Sequence, residues 1–115
     1  MALVGAVLAL GAAACGPVAP AGGGDCVDLT TAPAVHVEIT GFRYAPACFT
    51  MRAAQELAVT NGDGADHTFT LRGTAVDLVI AGSGRAEAGP LAAGPGTYEL
   101  ICRYHPDMRG TVTLG

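Results

Sequence analysis

The chain has 115 residues, a formal net charge of −4 and only 14% charged residues, with 17 glycines and 7 prolines. That length holds one small domain. The 6 basic residues are scattered arginines that form no cluster, which argues against nucleic acid as a partner.

Met1 to Ala14 is almost continuously apolar, too short to span a bilayer as a helix, and it ends in Gly11-Ala12-Ala13-Ala14 before Cys15. Residues 1–14 are therefore expected to be a signal peptide, an apolar core followed by a small-residue cleavage site. The run GAAAC resembles the lipobox of bacterial lipoproteins, and the resemblance implies that Cys15 becomes the lipidated first residue of the mature chain. The alternative is an unlipidated secretion signal. Residues 15–34 read as a flexible tether, because GPVAPAGGG mixes Gly and Pro without any apolar period. The folded domain is expected over 35–115.

From Val35 onward the chain is a series of short runs broken by Gly, Pro, Asn and Asp, with no helical period sustained over three turns. Strands are expected near 35–40, 48–52, 55–61, 67–72, 75–80, 84–89, 96–102 and 110–114. That is the spacing of an all-β, two-sheet Greek-key β-sandwich. Asn61-Gly62-Asp63-Gly64 and Gly94-Pro95-Gly96 are turn signals. The expected core is Val35, Val37, Ile39, Leu57, Val59, Phe69, Leu71, Tyr98, Leu100, Val112 and Leu114.

Two of these runs carry chemistry. In HTFTLR, His67 shares strand parity with Phe69 and Leu71 and points inward, whereas Thr68 and Thr70 are expected to face outward. By the same parity Cys102 points inward with Tyr98 and Leu100, and the loop beyond it supplies His105 and Met108. Alone, each residue is more simply a core histidine or a small buried thiol. Two inward ligands together reverse that preference. A thiolate, two imidazoles and a weak thioether suit copper, in a two-histidine, one-cysteine site with a distant axial methionine.

At this point the chain resembles the cupredoxins, the plastocyanin and amicyanin group, from about Val35 to Leu114. The matching pieces are GFRYAPACFTM, LAVTNGDGADHTFTL and GPGTYELICRYHPDMRGTVTL, in that order. The resemblance implies one type 1 copper site held by His67, Cys102, His105 and Met108. It also implies a Thr68 N–H donated to the Cys102 sulfur, and a partly exposed His105 as the exit for electrons. The two residues between His105 and Met108 are similar to the short amicyanin-type loop, where plastocyanin has four.

With Cys15 lipidated and Cys102 on the metal, Cys26 and Cys48 remain, and in an exported protein they are expected to form a disulfide. A second metal site from Cys26, Cys48 and His36 is disfavoured, since His36 alternates outward and nothing near it completes a ligand set. The expected function is electron transfer in the cell envelope. Redox protein partners would dock on a small apolar face around His105, formed with Pro106 and Pro46, and the chain would be a monomer touching the membrane only through Cys15. The alternative is copper binding or delivery without electron cycling. Catalysis is not expected, because protein ligands fill the site and no other cluster of acids and bases stands out.

Overall fold

The computed structural model describes residues 25–115. The expected signal peptide over 1–14, Cys15 and the first part of the expected tether lie outside the described residues. The strands are β1 Val27–Asp28, β2 Ala34–Thr40, β3 Arg43–Ala45, β4 Cys48–Met51, β5 Glu56–Asn61, β6 His67–Leu71, β7 Asp77–Ile80, β8 Arg85–Ala88, β9 Gly96–Ile101 and β10 Arg109–Leu114. They form two sheets, a six-stranded one in the order β1-β4-β10-β9-β6-β7 and a four-stranded one in the order β3-β2-β5-β8. No helix among the described residues is long and apolar enough to cross a membrane.

Period-two patterning builds the sandwich. In β2, Val35, Val37 and Ile39 are buried while His36, Glu38 and Thr40 are exposed. The inward residues of both sheets meet in one core, which adds Tyr44, Phe49, Met51, Ile80 and Leu91 to the expected set. Tyr98 is only partly buried, and its hydroxyl donates to the Gly94 carbonyl at 2.7 Å.

Strand directions put the candidate ligands at one end. β2 and β5 run parallel. β4 and β10 run parallel to each other, and β10 is antiparallel to β9. As a result β9 delivers Cys102 to the end from which β6 and β10 depart, with His67 opening β6 and Met108 immediately preceding β10.

Two expectations are corrected. The sandwich begins before residue 35. Val27 and Asp28 pair in parallel with Phe49 and Thr50, and the Gln55 side-chain amide donates to the Leu29 and Ala32 carbonyls at 2.9 and 2.7 Å. The Cys26–Cys48 disulfide is present, and it holds this segment on the edge of β4 although the segment has no apolar period of its own. Thr68 and Thr70 do not face solvent either, since every residue of β6 is buried. The chain beyond Cys102 crosses that face. The Arg103 N–H donates to the Thr68 hydroxyl at 2.9 Å, the two threonine hydroxyls share a bond at 2.9 Å, and Thr70 donates to Asp77 at 2.7 Å.

Candidate metal centre

His67 is fully buried at the first position of β6, and Cys102, 3% exposed, follows the last residue of β9. His105 is half-buried in the connecting loop. The ligand atoms of these three residues all lie within 4.8 Å of one another. Cys102 Sγ is 3.8 Å from His67 Nδ1, and the two imidazole centroids are 4.9 Å apart. The loop closes on itself through its own backbone. The His105 N–H donates to the Cys102 carbonyl at 3.3 Å, the Met108 N–H to the His105 carbonyl at 3.0 Å, and the Cys102 N–H to the Met108 carbonyl at 3.2 Å. These bonds carry Met108 inward, and it is buried. All four residues singled out in the sequence thus belong to one short loop and the strand end facing it.

Around them the backbone is pinned. The Thr68 N–H donates to Cys102 Sγ at 3.3 Å, the contact the resemblance implied. The buried Tyr44 hydroxyl donates to the Thr68 carbonyl at 2.6 Å and so fixes that residue from the other side. Burial, and after it the nearby Cys102, pushes the Tyr44 phenol well above its ordinary value, so it stays a donor. Asn61 stabilises the turn leading into His67, with its amide donating to the Ala65 and Ile80 carbonyls at 2.8 and 3.1 Å while its oxygen accepts the Asp63 N–H at 2.9 Å.

No protein-family model matches the chain, and no curated protein matches it. Solved structures do. Amicyanin from Paracoccus versutus (Thiobacillus versutus) aligns with a TM-score of 0.58 at 23% identity, over 73% of this chain and 83% of that one. The Cu(I) form of an amicyanin point mutant aligns with a TM-score of 0.60 at 20% identity, over 72% and 83%. A copper-containing nitrite reductase from Thermus scotoductus SA-01 gives 0.58 at 19% identity, over 71% of this chain and 22% of the reductase. The chain has the cupredoxin fold.

In this cupredoxin sandwich the donor set itself discriminates among metals. The cluster offers one sulfur and two imidazole nitrogens and includes no carboxylate, so it suits a soft or borderline ion and not calcium or magnesium. A buried thioether residue in the same loop favours copper over zinc. The amide N–H aimed at Cys102 Sγ stabilises negative charge on that sulfur, as a thiolate ligand requires. The residues present therefore fit copper.

Three neighbours escaped sequence reasoning. Asp63 lies 2.9 Å from His67 Nε2, and Tyr44 lies beneath Thr68. Phe42, 46% exposed, puts its ring edge-on to His67 and His105 at centroid distances of 4.9 and 4.7 Å. Phe42 also lines a shallow depression of about 270 Å³ with His105, Pro106, Asp107 and Met108. Pro46, expected on that face, is not among the lining residues. An acid four places before a buried histidine and an aromatic beside a glycine between two strands were the available signals. The Asp63 carboxyl is held below its ordinary value by the Phe42 N–H first, with further help from His67 and the Gly41 N–H against the opposing effect of burial.

Proposed function

We propose that the chain is a type 1 copper electron carrier of the cell envelope, moving one electron at a time between redox partners. The observation that carries this reading is the clustering of buried His67 and Cys102 with half-buried His105 at the end of a cupredoxin sandwich, with an amide N–H directed at the sulfur. His67, Cys102, His105 and Met108 would hold the ion. Bound copper would supply the Cu(II)/Cu(I) couple.

The protein's own part is rigidity. His67 is set by a strand hydrogen-bonded on both sides, and the loop donors are fixed by three backbone bonds, so little ligand movement is available on a change of charge. His105 is the least buried of the four residues and sits in the depression with Phe42 and Pro106. A small apolar face of this kind suits brief redox encounters, which use small interfaces. The Cys26–Cys48 disulfide supports an oxidising compartment and hence export. A lipid anchor at Cys15 belongs to the same proposal and rests on sequence alone.

The test is the absorption spectrum of the folded domain with added Cu(II), followed by voltammetry. An intense visible sulfur-to-copper band with reversible cycling is expected. Cys102→Ser should lose the band and still fold, since most of the core lies elsewhere. A band that survives in this variant would sink the ligand assignment. Colourless Cu(I) binding with transfer to an acceptor would replace electron transfer by copper delivery.

A further inference from the structure

Asp63 connects two segments that sequence places far apart. Its Oδ1 accepts the Gly41 N–H at 2.8 Å, and its Oδ2 meets both the Phe42 N–H and His67 Nε2 at 2.9 Å. Gly41 and Phe42 both have φ of 60°, a left-handed conformation that phenylalanine keeps only where its surroundings hold it. The two amide bonds to Asp63 supply that hold. They place the Phe42 ring against both imidazoles.

The same carboxylate decides which nitrogen of His67 carries hydrogen. A neutral imidazole has one N–H to give. Nδ1 could offer it to Cys102 Sγ only across 3.8 Å, whereas Nε2 has a carboxylate oxygen at 2.9 Å. The short, charge-assisted bond is the stronger by a wide margin. Nδ1 is then left with a free lone pair on the side of the cluster.

We propose that Asp63 is a positioning residue that fixes His67 as the Nε2–H tautomer and, through Gly41 and Phe42, holds an aromatic cover over His67 and His105. Its effect on the metal rests on the copper reading above; its effect on His67 and Phe42 does not. The experiment begins with the copper-free protein, where nitrogen-15 NMR of the imidazoles reads the tautomer directly. Wild type should show His67 protonated at Nε2, and Asp63→Ala should lose that preference together with hydrogen-exchange protection at the Phe42 amide. Affinity for Cu(II) should fall about 10–100-fold. Should Asp63→Ala not fold, Asp63→Asn takes its place: it keeps one acceptor oxygen for three donors and must release the turn or the imidazole. An Nδ1–H tautomer in wild type would overturn the proposal. So would an Asp63→Ala variant whose tautomer, Phe42 protection or copper affinity is unchanged, or an Asp63→Asn variant in which the tautomer and the Phe42 protection both stay as in wild type. A wild type that binds no copper would reject the electron-carrier reading, while the NMR comparison would still decide the role of Asp63.

Discussion

At the scale of single residues, Met108 bears most directly on the properties of the proposed centre. It is buried at the end of the loop, and its backbone, not its side chain, makes the bonds that close the loop. Its side chain can therefore be exchanged while the loop stays closed. A thioether bonds weakly to Cu(II) and suits Cu(I), while an amide oxygen prefers the oxidised ion. Met108→Gln should lower the reduction potential, and Met108→Leu should raise it by removing the axial donor. The leucine variant conserves volume and should cost less than about 1.5 kcal/mol in stability. Voltammetry of the pair decides the matter, because a side chain that only fills space would move both potentials in the same direction or not at all.

Between single residues and the whole lie the strand ends that hold the loop in place. β10 reaches the Ala45–Cys48 segment through the Thr111 N–H, which donates to the Ala47 carbonyl at 2.8 Å. Gly110 makes the approach possible, since a Cβ there would collide with the same carbonyl. Gly110→Ala should cost about 1–3 kcal/mol, read as a lower urea midpoint. On the outer face of β6, the Arg103 guanidinium first and the Thr70 hydroxyl second hold the Asp77 carboxyl below its ordinary 3.8. A depressed carboxyl contributes stability that is full above 3.8 and is lost as pH falls through the lower folded value. Asp77→Asn should therefore be less stable than wild type at pH 7, by under about 1 kcal/mol for so exposed a pair. The two should converge in urea titrations as pH falls below about 3.8. These elements also mark what sequence can reveal. Parity along a strand was enough to point His67 and Cys102 inward, because burial of alternate residues is written into the pattern itself. The Phe42 and Gly41 amides that Asp63 accepts lie 21 and 22 positions away in sequence, across two sheet crossings. A turn has no period, so the acid four places before His67 and the aromatic beside Gly41 were visible as residue types while their contact with each other was not. The cover over Thr68 and Thr70 was hidden for a related reason, since it comes from a loop and not from a strand.

For the molecule as a whole, the disulfide is the one covalent cross-link among the described residues. It joins cysteines 22 positions apart and ties β1 to the sheet edge. Reduction, or Cys26→Ser with Cys48→Ser, should cost on the order of 3 kcal/mol in unfolding. The visible spectrum with copper should stay as it was, because neither cysteine is part of the His67, Cys102 and His105 cluster. The parallel course of β1, β4 and β10 has a practical consequence as well. The described chain enters the sandwich beside Cys48, on the side of the Cys102–Met108 loop, and Gly115, whose N–H donates to the Met51 carbonyl, lies at the opposite end of β4. The six residues of β10 span about 20 Å between these ends. Fixed to an electrode by the side where residue 25 emerges, the domain would stand with its loop toward the support. Fixed by the side of Gly115, it would stand with the loop toward solution, so the point of attachment decides whether a surface can wire the proposed centre directly or leaves it free for a soluble partner.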